Sequence, residues 1–121
     1  MNSYTQYEKE VLYNRNWSEW RRFPNPDLCQ CLVAPIGYGV YQLRNSRTGE
    51  YVLFGMGKCL SARMSSLSPK GQGTRNNSDK VNYIKEHLDD IEYRTIPFTN
   101  KKDAQEFEMF VKQKEKHIFN T

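Results

Sequence analysis

The stretch 38-YGVYQLRNSRTGEYVLFG-55 leaves this chain the least freedom of any part of it. Two runs rich in β-branched and aromatic residues, 38–44 and 50–55, flank 45-NSRTG-49, a short polar loop that ends on glycine. That arrangement predicts a β-hairpin, because strand formers on either side of a brief turn-forming segment leave the chain little choice but to fold back. A Gly-Met-Gly turn then opens a helical segment, on which Leu60, Met64 and Leu67 recur at spacings of four and three and mark one buried face. Arg63 falls on that same face. A guanidinium is almost never fully buried without a partner, so its position asks for an explanation.

Further along, 68-SPKGQGTRNNSD-79 has the composition of a loop, with glycines and asparagines that tolerate turns. Asn77 or Ser78 is placed to cap a helix with the stripe Val81, Ile84 and Leu88. Asp89-Asp90 ends it, and 91-IEYRTIPF-98 predicts a third strand. A last helix starts near Thr99 or Asn100 and runs through 103–116, with Ala104, Phe107, Phe110 and Val111 inward. Upstream, residues 3–14 predict a helix with Ser3 and Gln6 as a capping box and Tyr4, Tyr7 and Val11 as its stripe. The prolines that follow 17-WSEWRRF-23 keep any helix from continuing past Phe23. The expected fold is α/β (α+β): a small central three-stranded antiparallel sheet flanked by helices, in the order β-β-α-α-β-α. Residues 1–36 form a helical extension packed on a domain of residues 37–121.

With 121 residues, 37% of them hydrophobic, the chain can bury one modest core and has no apolar run of membrane-spanning length. The amino-terminal MNSYTQYEKE lacks the basic and apolar regions of a secretory signal, and an odd count of three cysteines suits reduced thiols. A cytoplasmic location is the expectation. Cys29-Gln-Cys31 has no second pair at zinc-site spacing, so those cysteines are expected to be buried or idle. A net charge of +4 permits a polyanionic partner without requiring one.

The last helix repeats the puzzle of Arg63, because Glu108 lies on the margin of its apolar stripe, four residues after Ala104 and three before Val111. The plainer explanation is a partly buried ion pair between the two helices. The alternative is a site in which Arg63 grips a phosphate with its planar fork and Glu108 holds a divalent cation. Magnesium typically takes only one or two carboxylates and keeps several waters.

These residues also carry a family resemblance. From Gly37 to Asn120, about 84 of the 121 residues, the chain resembles a GIY-YIG nuclease domain. The first family motif matches Gly39-Val40-Tyr41 and the second falls on Leu53-Phe54-Gly55. The family's arginine, eight residues after that glycine, lands on Arg63. The metal-binding glutamate matches Glu108 after Ala104, and the terminal asparagine matches Asn120. Leu53 departs from the motif tyrosine and has no hydroxyl. Tyr51, two residues earlier, is expected on the same face of a regular strand, about 7 Å away, as a substitute.

The resemblance implies metal-dependent hydrolysis of phosphodiester bonds, with DNA ahead of RNA as substrate. Tyr41, or Tyr51 in its support, would help activate a water. Glu108 would hold one magnesium or manganese ion, Arg63 would stabilise the phosphoryl oxygens, and Asn120 would orient the site. The plainer role for Tyr41 is an aromatic packed on the sheet, and for Asn120 a chain-terminal cap. Lys58, Arg75, Asn76 and Asn77 are candidates for gripping the substrate, by phosphate or by base edge, against the plainer role of a solvated turn. The segment 17–23 would either stack bases or, as the stronger expectation, pack its two tryptophans on the domain and leave Arg21 and Arg22 in solvent. His87 and His117 are expected at the surface. Two rival functions remain: a catalytically inactive nucleic-acid-binding module, favoured by Leu53, and a protein-interaction domain.

Overall fold

A computed structural model describes residues 5–24, 32–65 and 79–119. The chain order is α1 (Gln6–Arg15), β1 (Arg21–Arg22), β2 (Gly39–Asn45), β3 (Tyr51–Gly57), α2 (Leu60–Ser65), α3 (Asp79–Glu86), β4 (Ile91–Pro97) and α4 (Lys101–Lys114). A 3-10 turn, Leu88–Asp90, follows α3 where the two aspartates stand.

The sheet is antiparallel with order β1-β4-β2-β3, so the hairpin's first strand is central and its second lies at an edge. It has four strands where the sequence predicts three, because the amino-terminal segment adds one. Arg21 and Arg22 pair with Tyr93 and Glu92, and the Ser18 and Phe23 amides donate to the Thr95 and Ile91 carbonyls. This run satisfies the outer edge of β4, which would otherwise present unpaired backbone groups.

Alternation along the strands sorts their side chains onto two faces. Tyr41, Leu43, Leu53, Ile91 and Tyr93 share one core with Leu60 and Met64 of α2 and Ile84 of α3. Val40, Phe54 and Ile96 share the other with Tyr13 of α1 and with Ala104, Phe107, Phe110 and Val111 of α4. The helices α2 and α4 therefore cover opposite faces. The final helix behaves as its pattern dictates: Asn100 caps it by accepting from the Asp103 amide, and the four expected apolar residues are all buried.

Helix α1 begins later than its sequence suggests. Thr5 and Glu8 form the capping box, with the Thr5 hydroxyl accepting from the Glu8 amide at 3.1 Å and the Glu8 carboxylate from the Thr5 amide at 2.8 Å. Tyr7 is 77% exposed, and Tyr13 is the residue the helix buries. The local stripe points to Tyr7, but α1 packs through Tyr13 against α4, Trp17 and Arg94, so its inward face is set by those neighbours.

Candidate active site at the edge strand

The hairpin register places Tyr41 opposite Gly55 and Gly39 opposite Gly57. Tyr41 is fully buried, and its ring lies across the backbone of β3 at Gly55. A Cβ at position 55 would stand 2.6 Å from the tyrosine oxygen and 2.8 Å from Cζ. Gly55 is thus the space that lets the ring reach from the central strand over the edge strand. Two residues along the same face, a Cβ at position 57 would meet Arg63 Cβ at 3.0 Å and Cγ at 3.3 Å. The Arg63 stem therefore crosses β3 at Gly57. Residues two apart on a strand are separated by about 7 Å, so Tyr41 and Arg63 are brought to neighbouring points of one face of the edge strand.

Arg63 is exposed, contrary to the expectation that it shares the packed face of its helix. Only Leu60 and Met64, four apart, are buried in this six-residue helix. Position 63 lies one residue off that line, and its apolar stem covers Gly57 while the head stays in water. Lys58, directly after Gly57, is exposed as well. It adds a second cation at this end of β3.

Glu108 sits on α4, and its side chain keeps 19% of its exposure. The Lys112 ammonium, one turn on, pairs with its Oε2 at 3.2 Å. The ion pair of Glu108 is thus made along its own helix. The helices that carry Arg63 and Glu108, α2 and α4, pack on opposite faces of the sheet. Residues on the two faces meet only around the free edge of β3. Part of that edge is covered: the Ile118 and Phe119 amides donate to the Tyr51 and Val52 carbonyls. Among the described residues, this carboxy-terminal strap stops there, short of Gly55 and Gly57. Asn120, Arg75, Asn76 and Asn77 lie outside the described residues, as do Cys29 and Cys31.

Tyr51 does not share the face of Leu53. The register slips between Leu43 and Arg44, so Leu43 opposes Leu53 and Arg44 opposes Tyr51, leaving Val52 as an extra residue. This bulge turns Tyr51 to the α4 side, and strict alternation fails at that one residue. Leu53 itself is fully buried. On the same side of the sheet, Tyr83 of α3 accepts from the Asn45 side-chain amide at 3.1 Å, at the far end of β2 from Gly39.

On the α4 face, the sequence reading missed a polar network. The Arg94 guanidinium stacks on Trp17 and Trp20, 4.2 and 4.4 Å from their ring centres. It donates from Nε and Nη2 to Gln42 Oε1, at 2.9 and 2.7 Å. Burial lowers its pKa. Arg44 also stacks on Trp20, 4.0 Å from its ring centre, and pairs with Glu92 at 2.7 Å. The tryptophans of 17–23 thus pack on the sheet, and Arg21 and Arg22 are exposed, as expected. Tyr13 donates to Glu115 at 2.7 Å, and burial pushes its hydroxyl well above the usual tyrosine range. His117 is half-buried against Tyr51 rather than at the surface, and burial lowers its pKa. Arg94 meets Trp17, Trp20 and Gln42 only after segments far apart in sequence are brought together, so the contact has no signature along the chain. No motif could have revealed it.

No protein-family model matches this chain, and no curated protein sequence does. Solved structures do. The magnesium-bound GIY-YIG N-terminal endonuclease domain of UvrC from Thermotoga maritima is 27% identical, with a TM-score of 0.59 over 82% of this chain and 100% of that one. Two tyrosine-to-phenylalanine point mutants of that domain, each bound to its catalytic divalent cation, are 30% and 31% identical. Each is matched over 74% of this chain and 89% of its own, with a TM-score of 0.56. At 30% and 31% identity over 89% of those domains, with a mixed α/β fold built on an antiparallel sheet flanked by helices, the chain belongs to the GIY-YIG superfamily.

Proposed function

We propose that this protein is a metal-dependent endonuclease that hydrolyses phosphodiester bonds in nucleic acid, DNA ahead of RNA. One observation carries the reading: the two glycines of β3 are the places where Tyr41 and Arg63 cross the edge strand side by side. A packing role alone would not need a tyrosine and an exposed arginine to converge there. The relatives in which this fold holds a catalytic divalent cation support it.

The residues present fit a single magnesium ion. Glu108 offers one half-buried carboxylate. That donor set suits an ion that keeps most of its water and takes one protein carboxylate. When bound, such an ion polarises the phosphoryl oxygens and lowers the pKa of water. Glu108 would exchange its Lys112 partner for the cation. Arg63 would hold two phosphoryl oxygens through its planar fork and offset the charge that grows on them. Tyr41, whose hydroxyl is buried against Gly55, would help activate the attacking water from beneath the edge strand, and Asn120 would orient the site. Lys58, with Arg75, Asn76 and Asn77 of the loop, would bind the substrate backbone beside the edge strand.

A second reading is an inactive nucleic-acid-binding module. It is favoured by Leu53, which lacks the motif hydroxyl, and by Tyr51, which faces the other way. Incubation of the protein with plasmid, single-stranded DNA and RNA, with magnesium or manganese against chelator, separates the two. An endonuclease nicks plasmid in the presence of metal, and Glu108→Gln removes the nicking while leaving binding intact, because the amide is a poor magnesium ligand. A wild-type protein as inert as Glu108→Gln on every substrate leaves the binding module.

A further inference from the structure

The last described residues follow a route of their own. After α4, residues 115–119 pass from the α4 face around β3 to the opposite face, where the Phe119 ring meets Tyr83 edge-on at 5.6 Å. Two backbone hydrogen bonds to Tyr51 and Val52 hold this strap to the edge strand, at 3.0 and 2.9 Å. One side chain of the strap is tied inward. His117 stacks on Tyr51, with ring centres 5.4 Å apart, and its Nε2 lies 3.1 Å from Gln42 Nε2.

The direction of that last bond follows from its neighbours. Gln42 Oε1 accepts two hydrogen bonds from the Arg94 guanidinium, so the amide cannot be turned the other way without placing its NH2 against a cation. Gln42 Nε2 is therefore a donor, and His117 Nε2 must be the acceptor. An imidazole that accepts at Nε2 is neutral and carries its proton on Nδ1, where the Glu115 backbone can take it up. Arg94 is itself held flat by Trp17 and Trp20. The chain of contacts thus runs from the amino-terminal tryptophans through β4 and β2 to the carboxy-terminal strap.

We propose that His117 is a positioning residue, whose neutral Nδ1–H form fastens the strap across β3 through Gln42 and so sets the closed end of the edge along which the substrate lies. The proposal rests on the nuclease reading for its consequence and on the hydrogen-bond geometry for its substance. An imidazolium would set a donor against a donor. The charged and titratable groups around the ring are Lys112 of α4, Glu115 of the strap, Tyr51 of β3, Tyr13 of α1 and, through Gln42, Arg94 of β4. The one carboxylate among them, Glu115, already accepts from Tyr13. Glu115 favours the charged ring, but burial, the largest influence, and the Lys112 ammonium oppose it, and the ring is held below its ordinary pKa.

The test uses the full chain and three variants: His117→Ala, His117→Gln, which keeps an acceptor, and Gln42→Glu. Ring nitrogen shifts from NMR of the wild-type protein should show the Nδ1–H tautomer at pH 7.5. Hydrogen exchange at the Ile118 and Phe119 amides should quicken about fivefold in His117→Ala, the effect of one hydrogen bond on an opening equilibrium, and recover in His117→Gln. Lowering the pH to 5 should quicken the same amides in wild type. In Gln42→Glu it should not, since a carboxylate there welcomes the imidazolium. In the cleavage assay, His117→Ala should lower kcat with KM unchanged, and His117→Gln should restore it. An Nε2–H tautomer, or amides indifferent to His117→Ala, overturns the proposal. So does a strap that loosens with no change in kcat, and the nuclease reading then stands. A wild type that cleaves nothing overturns the nuclease reading instead, and the tautomer and exchange data still decide whether His117 fastens the strap.

Discussion

Replacing Gly55 with alanine is the smallest change that reaches the centre of the site. The new Cβ would lie 2.6 Å from the Tyr41 oxygen, 2.8 Å from Cζ and 2.9 Å from Cε1, closer than carbon tolerates in each case. The ring cannot simply swing away, because Tyr41 is fully buried among Leu43, Leu53 and Met64. Either the ring rotates into occupied space or β3 lifts from β2. Overpacking of this kind costs about 1–3 kcal/mol. For a chain of this length each kcal/mol lowers the melting temperature by about 4 °C, so a fall of roughly 4–12 °C is expected. Gly57→Ala supplies the internal control. Its Cβ would meet the exposed Arg63 stem at 3.0 Å, which can yield, and the cost should stay below about 1 kcal/mol. Thermal unfolding followed by circular dichroism measures both. The double variant Tyr41→Leu/Gly55→Ala should be more stable than the sum of its single changes, because removing the ring removes the clash. In plasmid nicking, Gly55→Ala should lose about 100-fold, the usual consequence of moving a catalytic group by an ångström. A Gly55→Ala protein that melts with the wild type, or strictly additive effects in the double variant, would refute the ring-over-glycine argument.

Lys58→Ala should reduce the salt dependence of nucleic-acid binding by about one unit of log-log slope, read by anisotropy across a salt series, and leave melting unchanged. Stability should rise with pH between about 5 and 7, because His117 is held below its ordinary pKa of 6.5 by burial. The unfolded chain then binds more protons than the folded one, so stability is fully present above pH 6.5 and is lost as the pH falls toward the folded pKa. His117→Gln should flatten that part of the melting profile. Arg94→Lys should cost about 1–3 kcal/mol in urea unfolding, since an ammonium cannot donate twice to Gln42 and lie flat between two indoles. Leu53→Tyr tests the degenerate motif: activity gained marks a weakened enzyme, while melting alone will fall if the buried site has no room for the hydroxyl.

What could be known from the chain alone was whatever depends on neighbours in sequence. The hairpin, the two stripes at Val81 and Ile84 and at Ala104 to Val111, and the third strand all follow from local pattern, and each appears. Gly39-Val40-Tyr41, Gly55 and Arg63 were legible through their family resemblance, and the register of the folded hairpin then sets Tyr41 opposite Gly55. Tertiary structure decided the rest. Arg63 is exposed because a six-residue helix offers the core only Leu60 and Met64. Tyr51 leaves the face of Leu53 because a single extra residue in the ladder reverses every side chain beyond it. The fourth strand exists because β4 had an edge to satisfy, which residues 18–23 cannot reveal by their own composition. Arg94, Gln42 and His117 come from β4, β2 and the strap, and their hydrogen bonds form only once three distant segments have been folded side by side. Periodicity says which way a side chain points within its own element. Only packing says what it will find there.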